Sequence, residues 1–374
     1  MKDTIKNKKE YDLIVIGAGS GGVRAARIAA NHGAKVAIIE SVRVGGTCVL
    51  RGCVPKKLLV YGAHIAHDLE DAAGFGWNIG SIEHDWAKLI HSKDKELDRL
   101  NNIYLNLLSK VDIINGFGKI ISNNEVEINS NIIKANKILI AVGGKPFLPK
   151  IKGIDLCINS DQALDLKELP KKIIINGGGY IALEFAAIFA SFGSDVTLIY
   201  RGKNLLRGFD YDISRLIKEE YIKSNIKVLT ETEITSISKT KDALSVTLNN
   251  NKNIVSNQVM FATGRVPNTK GLGLVDIGVK TGLVGEIIVD KNNQTNIDNV
   301  YAIGDVTNRI NLTPVAIAEG QVFSDNFFGG MTRVCDYENV ASAVFSQPAI
   351  GVVGVNELEA NNLYAEDGGI EVYK

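Results

Sequence analysis

Twice along this chain a short apolar run ends in a glycine-rich turn that opens a helix, and this repeat constrains the fold most. In the first copy the run at 11–16 enters GAGSGG, where Gly17, Gly19 and Gly22 fit GxGxxG. A helix over 21–31 and a strand over 35–40 are expected next. Glu40 stands 21 residues after Gly19, where an acid can accept a hydrogen bond from a ribose hydroxyl. In the second copy a strand over 173–176 enters GGGYIA, where Gly177, Gly179 and Ala182 fit GxGxxA. Its helix runs to about residue 191 and its second strand over 195–200. Such turns place free N–H groups of a helix start against phosphate. Two of them in one chain form an internal repeat and predict an α/β protein with two Rossmann-like domains.

The two copies differ where the acid stands. The offset that reaches Glu40 from Gly19 reaches Tyr200 from Gly179, with Arg201 beside it and Arg207 six residues further on. Arginines in place of an acid exchange a ribose-hydroxyl acceptor for partners of a 2′-phosphate. The second unit is therefore expected to take NADPH rather than NADH, and the first FAD. The competing reading makes Arg201 and Arg207 solvated surface charges.

Residues 45–57, GGTCVLRGCVPKK, hold Cys48 and Cys53 with four residues between them. A helix over 56–73 is expected to follow, with Pro55 in its first turn, where a missing N–H costs nothing. Cys53 then sits at a helix N-terminus, whose free N–H groups and dipole favour a thiolate. Gly45, Gly46 and Gly52 permit tight backbone and close approach of a flat ligand. A structural disulfide is the alternative, but a pair at a helix start is reactive, and the stretch reads as a redox-active dithiol.

Between and after the repeats, a helical pattern covers 85–110, broken at most once, and strands are expected over 111–121, 125–128 and 132–141. AVGGKP at 141–146, containing Gly143, ends one strand, and FATGRVPN at 261–268, containing Gly264 and Arg265, echoes it. A buried strand over 299–303 ends in Gly304 and Asp305, an acid placed to accept from a cofactor hydroxyl. A helix over 312–328 follows, its N-terminus able to face a flavin ring. A new strand pattern begins near 340.

At 374 residues the chain can bury two or three cores. Lys plus Arg and Asp plus Glu are 42 each, so no nucleic-acid or membrane partner is expected. Four cysteines do not make a disulfide framework, which points to a reducing, cytoplasmic setting. The charged start, MKDTIKNKKE, does not resemble a signal peptide, and no apolar run approaches the ~20 residues of a membrane span. Cys157 and Cys335 read as ordinary small, partly buried residues. The five histidines (His32, His64, His67, His84 and His91) show no metal spacing.

The stretch GGTCVLRGCVPKK, together with both glycine turns in the same order, resembles the flavoprotein disulfide reductases. Its Pro-Lys-Lys ending, Arg51 and the following KLLVYGA are similar to the plant and bacterial glutathione reductases. That resemblance implies an FAD domain over 1–150, an NADPH domain inserted at 151–267, a segment at 268–336 completing the first, and an α+β interface domain beginning at 337–374. It also implies a homodimer. Cys53 matches the flavin-proximal sulfur and Cys48 the sulfur that attacks substrate. Lys56 and Glu184 match a pair beside the flavin N5, and Tyr180 an aromatic lid over the nicotinamide pocket. FAD contacts are implied at Glu40, Arg265 and Asp305, and in the Gly46–Thr47 and Gly143 turns, with Thr313 starting the flavin-facing helix. Ser20, Arg27 and Tyr104 match glutathione contacts, although Ser20 could cap the helix and Tyr104 could be core.

Two departures from that pattern stand out. Gln321 takes the place of a substrate-binding arginine of the animal enzymes; Arg24, Arg27 and Arg51 could offset it as a positive rim. The family's histidine–glutamate pair falls beyond Lys374, so a chain ending there is expected to reduce its own disulfide but to turn over glutathione disulfide poorly. The expected reaction is NADPH-dependent reduction of glutathione disulfide through FAD and the Cys48–Cys53 pair. The rivals are reduction of another disulfide or a metal ion, and a flavin- and nucleotide-binding fragment with diaphorase activity only.

Overall fold

The computed structural model describes residues 10–366 and 369–373; the charged start at 1–9 lies outside them. Two compact units are present. One comprises the chain to Cys53, Glu96–Lys145 and Arg265–Tyr337; the other comprises Val54–Lys95, Pro146–Gly264 and the chain from Glu338 on.

The first unit is built on a seven-stranded sheet. Glu10–Ile16 lies between Val36–Glu40 and Asn131–Ile140, parallel to both, and Asp112–Asn115 extends the sheet beyond Val36–Glu40. The other edge of the long strand Asn131–Ile140 serves two further partners. Its first half pairs antiparallel with Glu125–Ile128, and its last three residues pair parallel with Val300–Ala302. Leu13, Ile14 and Val15 are wholly buried, the continuous apolar reading of a parallel strand covered on both faces. The helix Ser20–Asn31 packs on Thr313–Phe328 through small residues. A Cβ on Gly320 would come within 2.5 Å of the Gly21 carbonyl oxygen, so only glycine permits this separation. Ser324 Oγ donates to the Ala25 carbonyl across the same contact, at 2.7 Å.

The second unit carries the four parallel strands Lys227–Leu229, Asp195–Ile199, Lys172–Asn176 and Gln258–Phe261 in that order, beside an antiparallel sheet of Ile234–Lys239, Leu244–Leu248 and Asn253–Ser256. Its largest core gathers around the helix Tyr180–Ser191, with Leu59, Val60, Trp86, Ile90 and Val344 packed in. Trp86 Nε1 donates to the Leu166 carbonyl at 2.8 Å, satisfying the one polar atom of that ring.

Three local expectations shift. The helix begins at Cys53, not at 56, and runs to Asp71; Pro55 is its third residue, still within the turn whose N–H groups have no helical partner. Cys48 lies in a separate short helix, Gly46–Leu50. The strand expected over 111–121 divides into Asp112–Asn115 and Lys119–Ile120. Gly116 breaks it at φ +146, where a Cβ would meet the Asn129 amide at 2.7 Å. The 85–110 pattern gives one unbroken helix, Trp86–Leu107.

Candidate active site

The dithiol stretch folds as two helices joined by a bend, and Cys53 is the first residue of the second. Cys48 is half-buried and Cys53 is exposed, and no disulfide joins them in this structure. A hydrogen bond with Cys53 holds the Cys48 proton in place, and burial adds to it, so the Cys48 thiol lies far above its ordinary range. Thr313, which opens the helix Thr313–Phe328, brings its Oγ1 to 3.8 Å from Cys53 Sγ. The pair thus meets the N-terminal ends of two helices, where negative charge is favoured.

Around it the first glycine turn forms a cradle that excludes side chains. Gly17 has φ +104, and a Cβ there would lie 2.5 Å from the Ala141 carbonyl oxygen. On Gly46 a Cβ would lie 2.4 Å from the Gly19 Cα, so two backbones meet here with no room for more. Gly19 is the N-cap of the Ser20–Asn31 helix and no side chain caps that end; Ser20 is the first helical residue and makes no capping bond. Glu40 accepts from the Ala18 and Val42 N–H groups, each at 2.9 Å, which fixes its carboxylate beside the turn. Arg265 donates to the Gly144 carbonyl and to Thr47 Oγ1. Asp305 lies in the turn Gly304–Thr307, and burial raises its carboxyl pKa against the pull of Arg265. Gly143, at φ +65, has open space where a Cβ would be. Exposed backbone N–H groups at a helix start, a fixed acid and a half-buried arginine–aspartate set suit a dinucleotide with a flat ring.

The second unit repeats the device. Gly177 has φ +154, and a Cβ there would meet the Ala262 carbonyl oxygen at 2.3 Å, as Gly17 meets Ala141. Here Tyr200 fills the place of the acid. Its ring is held between Gly178 and Gly202, either of which would clash with it at about 2.5 Å if it carried a Cβ. The Leu206 N–H donates to the Gly178 carbonyl at 2.7 Å, folding the 201–209 segment onto the turn. Arg201 and Arg207 are both exposed on that segment, Gly264 has φ +126 with open space at its Cβ position, and Ala182 is fully buried. Tyr180, the first residue of the Tyr180–Ser191 helix, is 43% exposed.

One turn along that helix, Glu184 is 2% exposed and accepts from Lys56 Nζ at 2.7 Å. Burial pushes its carboxyl above the usual carboxylate range, opposed first by the Lys56 charge. The same oxygen accepts from the Phe345 N–H at 2.9 Å, and the Phe345 ring centre lies 3.9 Å from Lys56 Nζ. Phe345 carries no motif, and sequence reasoning misses it.

Arg24, Arg27, Tyr104 and Cys48 share one neighbourhood of the first unit: burial raises the Tyr104 hydroxyl pKa, Cys48 adds to the rise, and the two arginines oppose it. Arg24 donates to Gln321 Oε1 at 3.1 Å, and Gln321 Nε2 donates to Asp325 at 2.9 Å. Arg51 is exposed. Cys157 and Cys335 are buried, and burial pushes the Cys157 thiol up to about 12. Among the described residues no His, Cys, Asp and Glu cluster could hold a metal, and no helix is long and apolar enough to cross a membrane.

A dithiol at a helix start, with a dinucleotide turn in each unit, defines a nucleotide-dependent disulfide oxidoreductase. The family described as pyridine nucleotide-disulphide oxidoreductase matches residues 11–320, and the chain belongs to it. Within it, the chain is 47% identical over 368 residues to a glutathione reductase of Burkholderia cepacia, covering 98% of this chain and 81% of that protein. It is 46% identical to the chloroplastic/mitochondrial glutathione reductase of Pisum sativum, covering 97% of this chain and 68% of the relative. Among solved structures, the Cu(II) complex of the HOCl-induced flavoprotein disulfide reductase RclA from Escherichia coli superposes with a TM-score of 0.86 at 29% identity. That match covers 95% of this chain and 79% of the other. Glutathione reductases of this family use FAD and NADPH.

Proposed function

We propose that this protein is an NADPH-dependent glutathione-disulfide reductase with FAD as its bound cofactor. The observation that carries the reading is the Cys48–Cys53 pair at a helix start, in a chain 44–47% identical to glutathione reductases. FAD would be held by Gly17, Gly19, Ser20, Gly22 and Glu40, by Gly46, Thr47 and Gly143, and by Arg265, Asp305 and Thr313. NADPH would be held by Gly177, Gly179, Ala182, Gly264 and Tyr180, with Arg201 and Arg207 on its 2′-phosphate. When bound, FAD supplies the relay that passes an electron pair from NADPH to the Cys48–Cys53 disulfide.

The chain's own residues do the rest. On reduction the disulfide takes up two electrons and one proton; the proton resides on Cys48, and the helix start favours the charge at Cys53. For attack the proton leaves the Cys48 thiol, and its sulfur displaces one half of glutathione disulfide. The S–S bond breaks, one glutathione departs as a thiolate that takes up a proton, and Cys48 is left in a mixed disulfide. Cys53 then attacks the Cys48 sulfur, expels the second glutathione and restores the Cys48–Cys53 disulfide. Arg24, Arg27 and Tyr104 would receive the substrate's carboxylates, and Lys56 with Glu184 would serve as a catalytic pair.

The proposed domains are FAD-binding at 1–150 and 268–336, NADPH-binding at 151–267, and an interface segment from 337, with a homodimer as the working form. The cytoplasm is the proposed compartment, in keeping with a chain whose four cysteines do not make a disulfide framework. Identity favours glutathione over a metal ion as acceptor, since the glutathione reductases stand at 44–47% and the copper-complexed neighbour at 29%. To test the assignment, the Cys53→Ser protein is reduced, mixed with glutathione disulfide and digested for mass spectrometry. One glutathione should be found, attached to Cys48. Attachment at another cysteine, or none, overturns the assigned roles.

A further inference from the structure

The segment after Ser342 is fixed to the same helix that bears Glu184. Val344 is buried in the core around the Tyr180–Ser191 helix, and Ser191 Oγ, on that helix, lies 3.1 Å from Gln347 Oε1. Ser346 is fully buried and donates to the Pro348 carbonyl at 2.7 Å. Phe345 stands between these anchors, so its backbone and ring are held from both sides. From there its N–H reaches the Glu184 oxygen that also accepts from Lys56, and its ring faces the Lys56 ammonium.

We propose that Phe345 is a positioning residue for the Lys56–Glu184 pair, its N–H fixing the carboxylate and its ring fixing the ammonium. An ammonium has three N–H donors and no acceptor, and Glu184 takes only one of them in this structure. A second carboxylate or hydroxyl beside Lys56 would compete with Glu184 and draw the chain aside. An aromatic face attracts the cation without offering a localised acceptor, so the ammonium stays buried and still points at Glu184. The N–H adds a donor on the carboxylate that no proton shift can remove, which helps keep the buried acid ionised. The inference rests on the proposed reading of Lys56 and Glu184 as part of the electron path, and it adds a group from the last part of the chain to that path.

The test substitutes Phe345→Met, which keeps apolar bulk without a π face, and Phe345→Tyr, which keeps the face. Acylation of Lys56 by acetic anhydride, followed by peptide mass spectrometry, is measured on the protein without flavin. Bleaching of bound flavin by NADPH is measured on the loaded protein. Phe345→Met should acylate Lys56 at least threefold faster and bleach at least threefold more slowly, and Phe345→Tyr should restore both to within twofold. Equal Lys56 acylation in the Met variant and the parent overturns the proposal, as does failure of Tyr to restore it. Should Phe345→Met not fold, Phe345→Leu takes its place; if both unfold while Tyr folds, the ring is core packing and the proposal is overturned. Lys56→Met serves as a separate control. Unchanged bleaching in that variant removes the pair from the electron path, while the acylation result still decides for or against Phe345.

Discussion

The hydrogen bond with Cys53 is the first cause that raises the Cys48 thiol, and that cause can be removed. In Cys53→Ala the side-chain hydrogen bond and the charge that raise the Cys48 thiol are both lost, leaving burial to raise it and Thr313 to lower it. The Cys48 pKa therefore falls, and at any pH below it the thiolate fraction rises. Alkylation of Cys48 by iodoacetamide, followed against pH in the reduced proteins, should show its midpoint moved to lower pH in Cys53→Ala. An unmoved midpoint would mean that Cys53 does not hold this proton. Arginine placement follows the same logic of near neighbours. Arg24, on the Ser20–Asn31 helix, donates to Gln321 on the Thr313–Phe328 helix, which sets a positive group beside this neutral side chain.

At the scale of elements, two adjacent glycines of the second turn have different duties. Gly178 gives room to the Tyr200 ring, whereas Gly179 has φ −91 and nothing within 4 Å of its Cβ position. Gly178→Ala should cost about 1–3 kcal/mol by overpacking the ring, and Gly179→Ala within about 0.5 kcal/mol. The second variant should instead weaken NADPH, because its methyl enters space left for the nucleotide. Thermal unfolding and NADPH titration of both variants decide it; equal stability losses, or unaltered NADPH binding in Gly179→Ala, would contradict this division. Both turns were legible in the sequence, because a strand, fixed glycines and a helix leave a local pattern. Cys48 and Cys53 were legible for the same reason. The short helix Gly46–Leu50 was not, since five residues with only Val49 buried show no helical period. The Lys56–Glu184 pair spans 128 residues and could be named only through the family resemblance. Phe345, 161 residues from Glu184, acts partly through a backbone N–H, which every residue but proline has, so nothing marked it.

At the scale of the whole molecule, the proposed function joins two nucleotide units in a relay. It takes NADPH in one unit, with Arg201 and Arg207 proposed to select it, and stores electrons in the other as a dithiol. That relay fails if either store is absent, so single turnover is its most direct measure. The FAD-loaded protein is reduced anaerobically with one equivalent of NADPH, freed of nucleotide, and its thiols are alkylated and located before and after one equivalent of glutathione disulfide. Before addition, two new thiols per chain should appear, at Cys48 and Cys53. After addition, both should vanish as two glutathiones per chain are released. Flavin bleaching without new thiols at these two cysteines, or thiols that persist in the presence of glutathione disulfide, would contradict the account.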